Sequence, residues 1–199
     1  MSFIETIPEE AAQGDVASMY AQLRQSLGYL PNYGKEFSHR PALFAAWAQL
    51  NTTVKRAMDP RWYELATVAA AVRRRSSYCT LSHGEKLLEL GSKPDQVVAL
   101  AGGGAAGLSE VEQAIVDYSA KVAQEPSSIT QGDIDKLRSL GLSDADIFDV
   151  ASAAAARLFF TALADATGTQ PDARYRETIP DLVDALAVGR PVAEAIPSS

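Results

Sequence analysis

Residues 61–75 read RWYELATVAAAVRRR. Alanine, valine and other apolar residues cover most of the circumference of this segment until the arginines, and a helix that is hydrophobic nearly all round is stable only when other elements surround it. Asp59 supplies a cap and Pro60 suits the first turn, so the sequence predicts a buried helix that starts here. Its one internal carboxylate, Glu64, is costly to bury alone and therefore needs a partner from elsewhere in the fold.

The remaining pattern is helical as well. Val16, Met19, Tyr20, Leu23 and Leu27 fall at helical spacing before Gly28. Pro31, Asn32, Gly34 and Pro41 predict an irregular connection, and Pro41 opens a helix through ALFAAWAQLNTTVKRAM. A helix from Ser76 or Ser77 ends before Gly91, and a short one from Pro94 dissolves in the GGGAAG of residues 102–107, a flexible link. Ser109 with Glu112 has capping-box spacing, Thr130 and Asp133 open another helix, and Ser143 opens the last long one, which runs to Gly168. No strand pattern competes, and roughly eight helices are expected. Four prolines follow Gly168, so residues 176–199 read as a C-terminal arm, wrapping a neighbour or partly disordered, after a domain of residues 1–175.

With 47% hydrophobic residues in 199, the chain can bury a sizeable core. Its formal charge of −7 repels phosphate backbones and anionic membrane surfaces, which argues against nucleic-acid or membrane partners. The start, MSFIETIPEE, lacks the basic and apolar segments of an export signal. The stretch DVASAAAARLFFTALADA is broken by Arg157 and reads as too short and too charged to span a bilayer, so a cytoplasmic setting is expected. Cys79 is the only cysteine, which excludes an intrachain disulfide and fits a reducing compartment.

Cys79 stands in SSYCTLSH, four residues before His83, so both lie on one helical face. Ser76 is placed to cap that helix, which puts Cys79 in its first turn, where partial positive charge favours a thiolate; Arg73, Arg74 and Arg75 add to the field. If the Glu64 helix packs against this one, Glu64 holds His83 and a carboxylate, imidazole and thiol relay results. Simpler explanations exist for each residue. A free cysteine is usually a small buried apolar side chain. His83 can be solvated, Glu64 can pair with an arginine, and the arginine run suits an exposed helix end. One cysteine and two histidines, with His39 in a distant loop, give no recognisable metal-ligand set, and no cofactor is expected.

Glu64, Ser76, Cys79 and His83 together resemble the signature of the AhpD-like alkylhydroperoxidase and carboxymuconolactone decarboxylase family, in which a glutamate is followed after 12 residues by a cysteine, after 15 by a second and after 19 by a histidine. LGYLPNYGKEFSHRPALFAAWAQL, LSEVEQAIVDYSAKVAQEPSSIT and LGLSDADIFDVASAAAARLFFTALADATG resemble its longer peroxidase-related branch, over about residues 5–175. The resemblance implies an all-α, AhpD-like helical bundle that assembles as dimers, trimers or hexamers. It also implies a redox site in which the cysteine matching Cys79 attacks peroxide with help from the residues matching His83 and Glu64, after which the first cysteine closes a disulfide. Here that first cysteine is Ser76, so a dithiol cycle within one subunit is impossible.

Three functions follow as alternatives. The first is a one-cysteine hydroperoxide reductase, of peroxiredoxin type, using Cys79, His83, Glu64 and Ser76, with an external thiol as reductant. The second is a carboxymuconolactone-decarboxylase-like lyase that uses His83 or Glu64 for proton transfer. The third is a non-enzymatic helical oligomer that binds a small apolar ligand, for which Tyr29, Tyr33, Phe37, Phe44 and Trp47 offer a lining, although their spacing suits core better.

Overall fold

A computed structural model describes residues 2–195. Among these residues there are eleven α-helices and no strand. In chain order they are α1 (Gly14–Leu27), α2 (Asn32–Glu36), α3 (Pro41–Ala57), α4 (Pro60–Arg73), α5 (Ser77–Glu89), α6 (Pro94–Ala101), α7 (Glu110–Gln124), α8 (Gln131–Ser139), α9 (Asp144–Thr167), α10 (Tyr175–Thr178) and α11 (Val183–Leu186). Apart from Ser76, the capping signals work as the sequence predicts. Asp59 accepts hydrogen bonds from the N–H groups of Arg61 and Trp62, and Ser109, Thr130 and Ser143 each form a reciprocal capping box. Gly28 and Gly168 close α1 and α9 with φ of 82°, a conformation that other residues rarely adopt.

Helix α4 is the axis of the fold. Every residue from Tyr63 to Ala71 is buried, and α5, α6, α7 and α9 all pack against it. Its alanines let those helices approach closely, which explains the lack of a polar face. On one side Ala66 and Ala70 meet Ile115 and Tyr118 of α7, Leu137 of α8, and Val150 and Ala154 of α9. On the other, Leu65 and Val68 meet Leu81 and Leu87 of α5, Val97 and Leu100 of α6, and the C-terminal segment. A third cluster joins Met19, Tyr20 and Leu23 of α1 to Phe37, Phe160 and Cys79.

Three segments differ from expectation or refine it. Residues 29–40 hold α2 and a 3-10 turn, Phe37–His39, instead of an irregular connection. Tertiary contacts impose this order: Asp172 Oδ1 accepts the Asn32 N–H at 2.7 Å, and Gly34 lies so near Leu23 that a Cβ would come within 2.6 Å of its Cδ1. The GGGAAG stretch folds into turns, with the Gly104 N–H bonded to the Ala99 carbonyl at 2.8 Å. Helix α9 has 24 residues and holds an 18-residue window of mean hydropathy 1.5, so by length and composition it is long and apolar enough to cross a membrane, against the sequence-based expectation. Half of that window is buried inside the bundle, and this packing accounts for its apolar character.

The C-terminal segment, expected as an arm, covers α5 and α6 of its own chain through α11 and the residues up to Val192. Tyr175, Ile179, Leu182, Val183 and Leu186 join the second cluster, each buried apolar side chain contributing roughly 1.5–3 kcal/mol. Residues 196–199 of the predicted arm, with Pro197, lie outside the described residues. Ser77 Oγ accepts the Gly189 N–H at 2.7 Å, and a Cβ at Gly189 would stand 1.9 Å from the Arg75 carbonyl oxygen. Backbone cannot yield there as a side chain can. Gly189→Ala is therefore expected to cost about 2 kcal/mol or more, seen as a thermal midpoint lowered by several degrees. Gly132→Ala, where the added carbon meets nothing closer than 3.6 Å, should leave the midpoint unchanged or raise it.

Candidate active site

Glu64 is 1% exposed in the middle of α4, and both its carboxylate oxygens are used. Oε2 receives His83 Nδ1 of α5 at 2.5 Å, and Oε1 receives Lys55 Nζ of α3 at 3.0 Å. The pairing of α4 with α5 brings Glu64 and His83 together as the sequence expectation required. Burial opposes the charge on Glu64, but His83 and Lys55 outweigh it and hold the carboxyl down at about 2. For His83, burial and then the nearby Arg157 outweigh the pull of Glu64 and lower it to about 4. The ring is therefore neutral at pH 7, Nδ1–H donates to the carboxylate, and Nε2 is left as an acceptor.

Cys79 occupies the third position of α5, in its first turn, and is 1% exposed. Ser76 stands at the N-cap as predicted, but its side chain makes no capping bond. Its buried hydroxyl instead reaches toward Cys79 and Asp165; burial raises the pKa of both and the hydroxyl offsets this only in part, without completing a hydrogen bond of ordinary geometry to either. The cation beside the thiol is also not the predicted one. Arg73, Arg74 and Arg75 are exposed, whereas Arg157 of α9 is 3% exposed and places Nη1 3.9 Å from Cys79 Sγ. Burial pushes the Cys79 thiol up by more than Arg157 and Ser76 pull it down, so the expected thiolate is not the resting form.

Arg157 is the functional candidate that the sequence reading passed over. Its Nη2 donates to Asn51 Oδ1 and to the Tyr63 hydroxyl, both at 3.3 Å. The rings of Trp47 and Phe160 lie 5.5 Å from the guanidinium. Among the described residues no carboxylate forms an ion pair with it. Cation–π contacts are worth about 0.5–2 kcal/mol, while desolvating an ion costs several, so these neutral neighbours offset the burial only in part. The signal was present: Arg157 is a lone charge in an apolar helix, the same pattern that singles out Glu64. The feature that sequence could not show is the arrival of α3, α5 and α9 at one place.

Cys79, His83 and Arg157 line one cavity of about 430 Å³ between α1, α3, α5 and α9. Tyr33, Phe44, Trp47 and Phe160 form an aromatic wall, so three of the five aromatics considered as a lining serve both cavity and core. Phe37 stays in the core, and Tyr29 lines a different cavity. His39 lies apart, with Nε2 2.7 Å from the Glu5 carbonyl oxygen. Among the described residues no group of three His, Cys, Asp or Glu side chains is arranged to hold a metal ion.

This bundle, with a buried Glu–His pair and a cysteine one turn away, is an AhpD-like helical fold. The family model for the carboxymuconolactone decarboxylase family matches residues 41–121, which hold Glu64, Ser76, Cys79 and His83. Among solved structures, the chain is similar to an uncharacterized peroxidase-related protein from Ralstonia eutropha JMP134 with an alkylhydroperoxidase AhpD core. The two are 21% identical with a TM-score of 0.79, over 87% of this chain and 94% of that one. A peroxidase-related protein from Silicibacter sp. TM1040 is 22% identical with a TM-score of 0.74, over 87% and 90% of the two chains. The debrominase Bmp8, in a variant bound to 2,3,4-tribromopyrrole, is 16% identical with a TM-score of 0.73, over 92% and 100%. No curated protein matches the chain in sequence.

Two outcomes are expected from the electrostatics. Alkylation of Cys79 by iodoacetamide should rise with pH without a plateau below pH 9, and Arg157→Gln should move the profile higher still; a plateau near pH 6 would mean that Arg157 outweighs burial. The second concerns stability. His83 has a folded value near 4 against about 6.5 unfolded, so its neutral form stabilises the fold above pH 6.5, and that contribution is lost as pH falls towards 4 because the unfolded chain takes up the proton first. Glu64, lowered to about 2, acts in the same direction below its unfolded value. Denaturant unfolding of His83→Gln should show a pH slope between 6.5 and 4 that is shallower by on the order of 2 kcal/mol in total.

Proposed function

We propose that the protein is a one-cysteine hydroperoxide reductase. The observation that carries this reading is the convergence of the sole cysteine, a carboxylate-held neutral imidazole and a buried guanidinium on one cavity. The likeness to peroxidase-related structures supports it. His83 Nε2 takes the thiol proton as Cys79 sulfur attacks the terminal oxygen of the hydroperoxide. The O–O bond breaks, the departing alkoxide takes a proton and leaves as alcohol, and Cys79 becomes a sulfenic acid. Arg157 stabilises the charge that develops on sulfur and oxygen. Glu64 fixes the imidazole tautomer, Lys55 holds Glu64, and the Ser76 hydroxyl donates to the sulfenate.

With serine at position 76 no disulfide forms within the chain, so an external thiol condenses with the sulfenic acid to a mixed disulfide, releasing water, and a second external thiol attacks that disulfide, releasing Cys79 as the thiol and the reductant as its own disulfide. The cytoplasmic setting expected from the sequence supplies such thiols. Homo-oligomerisation belongs to the same proposal: Leu43 and Leu50 of α3 and Phe148 and Phe159 of α9 are exposed apolar side chains on two helices that pack together.

A second reading is favoured by the match to the decarboxylase family and by the Glu64–His83 contact, which does not involve the thiol. In that reading the pair transfers protons in a lyase reaction. The two separate cleanly. In a coupled assay with an organic hydroperoxide and dithiothreitol, Cys79→Ser should abolish turnover and His83→Ala should slow it by about 10². Turnover by Cys79→Ser at the wild-type rate would remove the thiol from the chemistry, whereas the lyase reading requires decarboxylation of a lactone acid that survives Cys79→Ser and is lost in His83→Ala.

A further inference from the structure

The cavity above Cys79 is electrostatically unbalanced at rest, whatever part Arg157 plays in peroxide reduction. Arg157 is the only formally charged residue at neutral pH among those that line it, and no Asp or Glu faces it. The guanidinium is surrounded by neutral groups, and Arg157 Nε, although buried, has no hydrogen-bond partner. Trp47 Nε1, on the same cavity, is likewise buried and without one. The acceptor beside them is already committed: Asn51 Oδ1 accepts from the Tyr63 hydroxyl at 2.6 Å as well as from Arg157. Buried donors are nearly always satisfied in a folded protein, so two unpaired donors beside an uncompensated cation favour an acceptor that carries negative charge.

The rest of the lining favours a ligand with an apolar body. Tyr33, Phe44, Trp47 and Phe160 make the wall aromatic, and Leu23 and Leu27 continue it apolar toward α1. The volume of about 430 Å³ is within the range of small-molecule sites. A phosphate-rich or multiply charged ligand would meet one cation only, and a neutral hydrocarbon would leave the donors unpaired. We propose that this cavity is built for an apolar organic monoanion, a small aryl or alkyl carboxylate in chemical class, held at its acid end by Arg157 with its body along the aromatic wall. The inference rests on the redox reading only in placing such a molecule beside Cys79: the hydroperoxides turned over best would then be those that carry an acid group.

Binding can be measured without any redox step. In the Cys79→Ser variant, calorimetric titration with phenylacetate and octanoate should show binding at least tenfold tighter than with phenylacetamide and octanamide. Arg157→Gln should remove that preference and Arg157→Lys should keep part of it. Equal affinity for acids and amides, no binding of the acids at millimolar concentration, or a preference that survives Arg157→Gln would each overturn the proposal. If Arg157→Gln fails to fold, protection of wild-type Cys79 from iodoacetamide gives the same decision: octanoate should protect where octanamide does not, and equal protection counts against. Hydroperoxide oxidation of wild-type Cys79 is scored separately. Rapid oxidation with no preference for acids would refute the anion site and leave the peroxidase; acid binding with an inert thiol would do the reverse.

Discussion

The carboxylate of Glu64 is the constraint around which the molecule is organised. It lies in the interior of a helix whose neighbouring residues are apolar, and water cannot reach it there. A carboxylate so placed is tolerated only with donors on both oxygens. Lys55 and His83 provide them from the helices on either side in sequence, so one buried acid joins α3, α4 and α5 and sets the orientation of the imidazole. The helix register that brings His83 to Glu64 also carries Cys79, one turn earlier, to the wall of the cavity, where α9 supplies Arg157. A change that unpairs Glu64 therefore disturbs both the packing of α4 and the orientation of the His83 ring.

The electrostatics of the thiol are a balance in which burial wins. Thiol enzymes that react quickly at neutral pH keep the sulfur as a thiolate. In this chain the helix end, Arg157 and Ser76 all favour the anion, yet an almost fully buried sulfur remains protonated. On the proposed peroxidase reading charge would have to be created during the reaction, with the neutral His83 receiving the proton and the cationic Arg157 stabilising the anion. An acid ligand on Arg157 would alter this balance again, which ties the identity of the occupant to the reactivity of the sulfur.

Much of this was legible in the sequence. The capping residues Asp59, Ser109, Thr130 and Ser143 predicted helix starts because their signal is local: an oxygen within three residues of the N–H it satisfies. The Glu64–His83 contact was readable as one option because a buried charge demands a partner and the spacing resembles a family motif, whereas the second partner, Lys55, was not anticipated. The segment around α2 and the C-terminal segment were not. Their order comes from distant contacts, Asp172 on Asn32 and Ser77 on Gly189, and prolines and glycines give no warning of these. Arg157 was read as an interruption of an apolar stretch, although a lone guanidinium in a helix interior raises the same demand as a lone carboxylate. Ser76 stood where expected and did something else, because a buried helix start faces side chains rather than solvent.

The central claim is that Cys79, His83 and Arg157 form one reactive centre. Its most direct test is the rate of single-oxygen addition to reduced protein, followed by intact mass with a sulfenic-acid trap and cumene hydroperoxide between pH 6 and 10. Trapping confined to Cys79, faster than for a free thiol of equal ionisation and slowed in both His83→Ala and Arg157→Gln, is the predicted result. Oxidation no faster than that free thiol, or a rate indifferent to both substitutions, would contradict it.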